Sequence, residues 1–450
     1  MSTQTPLDAP TAEPEPLQPS RRRVGRDAAA TLAFRTGSLP FTFAITIITS
    51  RLLLPTGRGA FVLALLTVTL AATLLGNVGV AATHELARKE HDEHIVVGQS
   101  LSITVALGLI GMLVLFPIDV ALADQGFRRV AFVAAGLPAV LVIQTLSAAL
   151  VAVGRLAFSN FLQFLLPVVT LGGMFVFVYW LDRGTTGAVV AWVVAQTAVA
   201  VVGLVGARSL WWPVKLRALP PGRILAMLLL GLRIGLVNLV SVLNYRIELI
   251  VLQVDHGLAQ VGLYSLATSL AELLWIVSGA IATATIAPVV AVHSDEEAAI
   301  ITARSVRWAL ITTAICAVAL GIGSWFLIVP IFGTYFESSI HPLILLLPGV
   351  VAFAPGTVIA VYFSMRRGQT KYPLGICLVS LAVTGVLALL LVPGHFGVGA
   401  AVACSAGYIV GMVLGLWWFA RQGHVRLGDL VPSRADVRAS RVILRGLVPR

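Results

Sequence analysis

Charge is what this sequence has least of. Only 11% of its 450 residues are Asp, Glu, Lys or Arg, against 58% hydrophobic residues and a mean hydropathy of +0.95. A water-soluble chain of this size carries about a quarter of its residues as charges, so a soluble globular protein is excluded. Cysteine is also scarce. Cys316, Cys377 and Cys404 stand singly inside apolar runs, which leaves no disulfide framework and no thiolate metal site; all three read as small packing residues. The alternating ~10-residue segments of an outer-membrane barrel are absent. So are a Walker loop, a metalloprotease helix, a nucleophile elbow and a cluster of paired carboxylates. The run "HDEH" (His91–His94) sits beside Lys89 and Glu90 and reads as a solvated charge run rather than a metal site.

What the chain does have is long apolar runs. Ser102–Pro117, Phe161–Trp180 and Leu374–Val392 approach the ~20 residues that cross a bilayer as helix. About twelve such spans are predicted, so the fold class is an all-α integral membrane protein. The cationic loops alternate. Arg88/Lys89, Arg155, Arg208/Lys215/Arg217/Arg223, Arg304/Arg307 and Arg366/Arg367/Lys371 fall on one side with both basic tails; Arg51/Arg58, Arg128/Arg129 and Arg183 fall on the other. The positive-inside rule puts the first set in the cytoplasm. Residues 1–27, rich in Pro, Thr and Glu and ending in "SRRRVGR", are expected to be a disordered cytoplasmic tail, too polar for a cleaved signal peptide. Residues 421–450 are expected to form a second basic tail. The pI near 10.3 then reflects tails against anionic headgroups rather than nucleic acid, for which no soluble domain exists.

The chain is internally duplicated. "FRTG" (Phe34–Gly37) opens the first span and "LRIG" (Leu232–Gly235) the seventh; "GAFVLAL" (Gly59–Leu65) matches "GLYSLAT" (Gly262–Thr268); "GRLAFSN" (Gly154–Asn160) has a weaker counterpart in "RGQTKYP" (Arg367–Pro373). Two pseudo-symmetric six-helix bundles, 28–207 and 224–420, are predicted around a central cavity. They are joined by a cytoplasmic linker, 208–223, in which Trp211 and Trp212 are placed as interfacial anchors.

Polar side chains gather in stripes. At 100° per residue, Arg35, Ser38, Thr42, Thr46 and Thr49 share an arc of about 80° on the first span. Arg233, Ser241, Asn244 and Glu248 share about 80° on the seventh, and Ser265, Thr268, Ser269, Glu272, Gly279 and Thr283 share about 100° on the eighth. Ser/Thr stripes also serve plain helix packing, but ionisable groups at this depth face a cavity or a partner. Arg35 and Arg233 have two readings, snorkelling to lipid phosphate or presenting guanidinium forks to a pyrophosphate. Glu272 is either a proton- or sodium-coupling site or the counter-charge of a cavity arginine. Arg246 and Glu248, two residues apart, point about 200° from each other and do not neutralise one another; Glu248 is expected to face the cavity.

Arg51–Lys89, "NYRIELIVL" and Val261–Ala291, together with "GRLAFSNFLQ", resemble the polysaccharide-export (Wzx-type) flippases of the MOP superfamily over most of residues 28–420. The resemblance implies a V-shaped transporter, not an enzyme, in the bacterial cytoplasmic membrane. It would move undecaprenyl-pyrophosphate-linked oligosaccharide between leaflets for surface-polysaccharide synthesis. It implies no cofactor beyond a coupling proton or sodium ion. The implied partners are the lipid-linked glycan, membrane lipids and a polysaccharide polymerase or glycosyltransferases. Substrate would meet Arg35, Arg233, Ser38, Thr42, Thr46, Asn244 and Ser269, with Glu248 and Glu272 as cavity or ion-coupling carboxylates. Two departures stand out: Leu54-Pro55-Thr56-Gly57 replaces a Gly-Pro-Glu-Gly type of turn, and Glu248 stands where Asp is more usual. Two other readings remain, an organic-cation antiporter of the same superfamily and a membrane glycosyl- or acyltransferase. The latter would need a polar catalytic loop that the sequence does not show.

Overall fold

The computed structural model describes residues 21–88, 92–122, 132–214 and 220–431, without the side chains of residues 21–30, 32, 35 and 117–122. The described residues contain helices and no strand. Ten helical stretches are long and apolar enough to cross a membrane, and two of them, Thr36–Arg88 and Lys371–Gly423, have 53 residues each. A straight helix of that length would reach about 80 Å, far beyond the ~30 Å hydrocarbon layer. Both therefore double back, which makes twelve crossings among the described residues.

The reversals are visible in the backbone. Helix α1 (Arg21–Leu75) breaks at Leu54, with φ 58° and ψ 176°. Beyond it Arg58 Nη1 donates to the Thr46 carbonyl at 3.2 Å; in a continuous helix those residues would lie about 18 Å apart. Span 1 is the arm before Leu54, and span 2 is the arm after it, continued by α2 (Val78–Arg88). Spans 3 to 6 are α3 (Glu93–Leu122), α4 (Leu137–Ala152), α5 (Leu156–Met174) with the wide turn Phe175–Trp180, and α6 (Gly184–Gly206). The short helix α7 (Arg208–Trp211) lies against span 3, the Trp211 carbonyl 2.9 Å from where a Cβ on Gly98 would stand. Arg208 lies over the Trp212 ring at 5.5 Å.

The second half repeats the plan. Span 7 joins α8 (Pro221–Asn244) to the start of α9 (Ile247–Glu272), which breaks at Gly257 (φ 75°). Span 8 is the rest of α9 with α10 (Leu274–Ala291). Span 9 is α11 (Asp295–Phe332). Span 10 runs through α12 (Ile340–Phe353), α13 (Pro355–Ala360) and the wide turn Val361–Arg366. Helix α14 (Lys371–Gly423) turns back at Phe396 (φ 54°) into spans 11 and 12. Three left-handed turns of the first half have counterparts in the second. Leu54 and Gly257 both stand five residues before the matched Gly59 and Gly262. Gly184 and Phe396 both stand three residues before Gly187 and Gly399, and Gly154 pairs with Gly368. That last pair shifts the expected hairpin register by one residue.

The termini differ from expectation where they are described. Helix α1 starts at Arg21, inside the segment 1–27 expected to be a disordered tail, because Arg and Ala between Arg21 and Ala30 are good helix formers. Residues 421–431 are docked, not loose: Leu430 is buried, and Arg307 donates to the Asp429 carbonyl. Residues 1–20, Lys89, His91, Arg128/Arg129, Lys215/Arg217 and 432–450, to which other expectations attach, lie outside the described residues.

One clasp joins two loops on the face that carries α7 and the start of span 9. Arg366 Nε donates to Asp295 Oδ1 at 3.0 Å and Arg367 Nη1 to Oδ2 at 2.5 Å. Arg366 also donates to the carbonyls of Val292 (2.6 Å) and His293 (3.2 Å). The hydrogen bond from Arg366, with the charge of Arg367, holds the Asp295 carboxyl below the usual aspartate value. A depressed folded pKa contributes stability above the unfolded value of ~3.9 and loses it as pH falls through the folded one. Acidification below about pH 4 should therefore release this clasp, and Asp295→Asn should flatten the dependence of the thermal midpoint on pH in that window only.

The two bulky residues in left-handed turns define a second expectation. A non-glycine residue at such φ costs about 1–3 kcal/mol, against about 0.5–1 kcal/mol of extra chain entropy for glycine. Leu54→Gly should raise the thermal midpoint by the equivalent of about 1 kcal/mol. Phe396→Gly should gain less, since it removes a ring packed on His256 at 4.1 Å.

Candidate functional site

The two bundles meet where spans 2 and 8 cross. A Cβ on Gly59 would lie 1.9 Å from the Leu258 carbonyl oxygen, and one on Gly262 would lie 1.8 Å from that of Pro55. Each glycine thus abuts the residue four before its partner, a twofold contact in which only glycine lets the backbones approach. The sequence repeat "GAFVLAL"/"GLYSLAT" is therefore also a physical interface: the matched residues touch each other.

Arg58 lies beside this crossing and is 3% exposed. Its guanidinium donates to Thr49 Oγ1 (2.8 Å), Ser50 Oγ (3.1 Å) and the Thr46 carbonyl on span 1. On span 8 it donates to Ser265 Oγ (3.1 Å) and Ser269 Oγ (3.3 Å). No carboxylate pairs with it among the described residues. A buried cation held only by neutral oxygens keeps a positive field at that point. The sequence reading put Arg58 in an outer loop and missed it. The available signal was that Val261 stands at the matched position, so an arginine interrupts an otherwise apolar repeat.

Below the crossing the stripes of spans 1 and 8 face a cleft. Thr42 is exposed and Thr46 half-buried, their hydroxyls donating to the carbonyls of Ser38 (3.2 Å) and Thr42 (3.0 Å). On span 8, Ala280, Thr283, Ala284 and Ala287 are exposed, and a Cβ on Gly279 would meet nothing within 4 Å. These residues continue the face that carries Ser265, Ser269 and Glu272. The other flank is closed at the same depth. Gly235 on span 7 abuts the Leu74 carbonyl on span 2, Asn238 Nδ2 donates to Asn77 Oδ1 at 3.1 Å, and Arg223 pairs with Glu85 at 3.3 Å.

The expected site residues divide. Ser269 joins the roof through Arg58, and Thr42 and Thr46 line the cleft. Glu272 is held by Arg246, Nη1 to Oε1 at 2.5 Å and Nη2 to Oε2 at 3.1 Å, with both groups partly exposed. Arg233 is exposed on span 7, about 200° around the helix from Gly231 and Gly235, and has no hydrogen bond or ion pair among the described residues. The backbone of Arg35 is helical; its side chain lies outside the described residues.

Asn244 and Glu248 do not face the cleft. Both are 0% exposed, and neither makes a side-chain hydrogen bond. Glu248 is inside the second bundle, with Tyr264 and Cys404 near it. For Glu248 the cause is a break in span 7: Arg246 leaves helical geometry (φ −139°) between α8 and α9, so a stripe computed for one continuous helix is rotated past that point. Asn244 precedes the break, and its end of α8 is buried on the face that is exposed at Arg233. Aromatic rings pack at the break, Tyr245 on Trp275 and Phe353 on Tyr408, each pair 4.9 Å apart. The described residues contain no group of three His, Cys, Asp or Glu that could hold a metal ion.

Comparison with solved structures shows that the fold is similar to those of a MATE transporter of the MOP superfamily and of a lipid II flippase. An inward-facing multidrug-resistance MATE transporter of that superfamily superposes with a TM-score of 0.70 at 17% identity, over 90% of this chain and 98% of the other. The lipid II flippase MurJ, in an inward closed conformation, gives 0.69 at 12% identity over 95% and 93%. An outward-facing MATE transporter gives 0.60 at 17% identity over 92% and 97%. No protein-family model and no curated protein matches the sequence.

The crossing makes a direct prediction. Gly262→Leu would drive a side chain into the Pro55 carbonyl and overpack the contact by about 1–3 kcal/mol. A cysteine at Thr42, in a chain freed of its three native cysteines, should then react about tenfold faster with an impermeant thiol reagent applied from the crossing side. An unchanged rate would show that the crossing is not the barrier.

Proposed function

We propose that the chain is a flippase. It carries undecaprenyl-pyrophosphate-linked oligosaccharide from the cytoplasmic to the outer leaflet of the bacterial cytoplasmic membrane by alternating access, for surface-polysaccharide synthesis. Both termini are cytoplasmic on this reading, so the Gly59–Gly262 crossing is the closed outer side and the cleft opens inward. The better superposition on the inward-facing than on the outward-facing MATE transporter supports that state.

The observation that carries the reading is the charge of the cleft. Its carboxylate, Glu272, is already neutralised by Arg246, while Arg58 at the roof has no counter-ion. Such a cleft favours an anion over an organic cation. Arg35 and Arg233 would engage the pyrophosphate, Ser38, Thr42, Thr46 and Ser269 would pass the sugars, and the lipid tail would leave between spans 1 and 8, where the cleft is uncovered. The similarity of the fold to that of MurJ, a lipid II flippase, supports this reading. Glu248, buried like Asn244 on the other side of the break, is the candidate for a coupling proton or sodium ion, because its buried oxygens have no hydrogen-bond donor. A polymerase or glycosyltransferases would be partners. The fold is equally that of multidrug MATE transporters, which makes ion-coupled drug export the second reading.

Proteoliposomes separate the two. Wild-type protein should equilibrate a fluorescent undecaprenyl-pyrophosphate glycan between leaflets, and the Arg35→Ala/Arg233→Ala variant should be at least about tenfold slower. Equal rates would remove the pyrophosphate role. Ion-driven export of a quaternary ammonium dye without glycan movement would favour the drug antiporter. Glu248→Gln should leave passive binding of the glycan intact while abolishing any dependence of transport on a proton or sodium gradient.

A further inference from the structure

A second cavity, partly polar, lies on the first bundle. It has a volume of about 550 Å³, is half-open, and is bounded by spans 1, 2, 4 and 5 at the end remote from the Gly59–Gly262 crossing. Thr31, Ser38, Thr83, Ser147, Asn160 and Gln163 line it, and none of the described residues around it is charged. Ser147 Oγ is buried and has no hydrogen-bond partner. Gln163 is exposed, with neither end of its amide hydrogen-bonded among the described residues. Asn160 Nδ2 donates to Thr31 Oγ1 at 2.8 Å, which leaves the amide oxygen directed by that bond. One wall is aromatic: Phe164 packs on Phe34 at 5.9 Å and edge-on to Phe41 at 5.7 Å.

This combination narrows the ligand class. An acyl chain would leave hydroxyls and amides unpaired. The apolar groove along spans 9 and 10, formed by Trp325, Phe326 and Pro348 among others, shows how different a lipid-type surface looks in this chain. Neutral donors and acceptors beside aromatic faces suit a polyhydroxylated ring, which hydrogen-bonds at its edge and packs its C–H face on an aromatic ring. The volume falls within the ~300–1,000 Å³ of small-molecule sites. Ser38 belongs both to this cavity and to the span 1 stripe that leads through Thr42 and Thr46 to Arg58, so the cavity adjoins the polar track of the cleft.

We propose that this cavity is a sugar subsite that holds the carrier-proximal saccharide of the cargo. The proposal rests on the flippase reading and adds to it a place where the glycan is recognised. Binding in nanodiscs tests it with two probes, undecaprenyl pyrophosphate alone and the same lipid carrying one N-acetylhexosamine. Wild type should prefer the glycosylated lipid. Gln163→Leu and the isosteric Thr83→Val should each weaken it about tenfold, the scale of one or two hydrogen bonds, and leave the bare carrier unchanged. Gln163 is exposed and Thr83→Val preserves shape, so both variants should keep the wild-type thermal midpoint. Equal wild-type affinity for the two lipids, or variants that lose neither or both, would overturn the subsite while leaving the flippase reading intact. Wild type that binds neither lipid would overturn both.

Discussion

The structure depends on one close approach of two helix backbones. At Gly59 and Gly262 each helix places a carbonyl where any other residue would have its Cβ. In a bilayer there is no hydrophobic force between apolar helices, so association rests on such packing and on the hydrogen bonds around it. Here the contact is small, twofold, and located at one end of two long bundles. A small pivot of this kind can hold the bundles together at that end while leaving a cleft at the other, and it can be exchanged for a contact elsewhere without unfolding either bundle.

Charge is then distributed around the pivot according to what the membrane interior tolerates. Arg58 remains charged there because six neutral oxygens from two bundles surround its fork. Those hydrogen bonds exist only while the crossing is closed. Separation of spans 2 and 8 would strip the Ser265 and Ser269 partners from a cation that cannot lose its proton, and an anion arriving in the cleft would compensate for that loss. Arg246 and Glu272 sit within one bundle, so a separation of the bundles would leave them paired. On the proposed reading the pair sets the cleft's background charge, whereas Arg58 is the group whose environment would change with conformation.

How much of this was legible in the sequence follows from which interactions are local. Twelve crossings, the duplication and the stripes of spans 1 and 8 come from hydropathy and a 3.6-residue period, and these are local properties. Span 7 defeated the same arithmetic, because Arg246 interrupts the helix and turns Glu248 into the second bundle, while the stripe that is exposed at Arg233 is already covered at Asn244. Arg58 was misplaced for a different reason. It follows the turn at Leu54 closely, and a cationic residue near a turn reads as a loop charge until the fold brings span 8 beside it. Leu54 itself hid the turn, since a left-handed position is signalled by glycine, and here the glycine is in the other half, at Gly257.

That exchange points to what duplication preserved and what it released. Three left-handed turns recur in both halves, and two of them have glycine in one half and a bulky residue in the other: Leu54 with Gly257, Gly184 with Phe396. The backbone path is thus held by the bundle and not by the residue at the turn. Side-chain chemistry has diverged further. Arg58 faces Val261 across the repeat, the neutral polar cavity occupies the first bundle, and the unpaired carboxylate occupies the second. A transporter needs its cargo and its driving ion to act on one conformational equilibrium from separate places. Two bundles of the same fold sharing a single pivot supply that arrangement. In the proposed reading the first bundle recognises the glycan, the second responds to the ion, and the crossing at Gly59 and Gly262 is the element both of them bias.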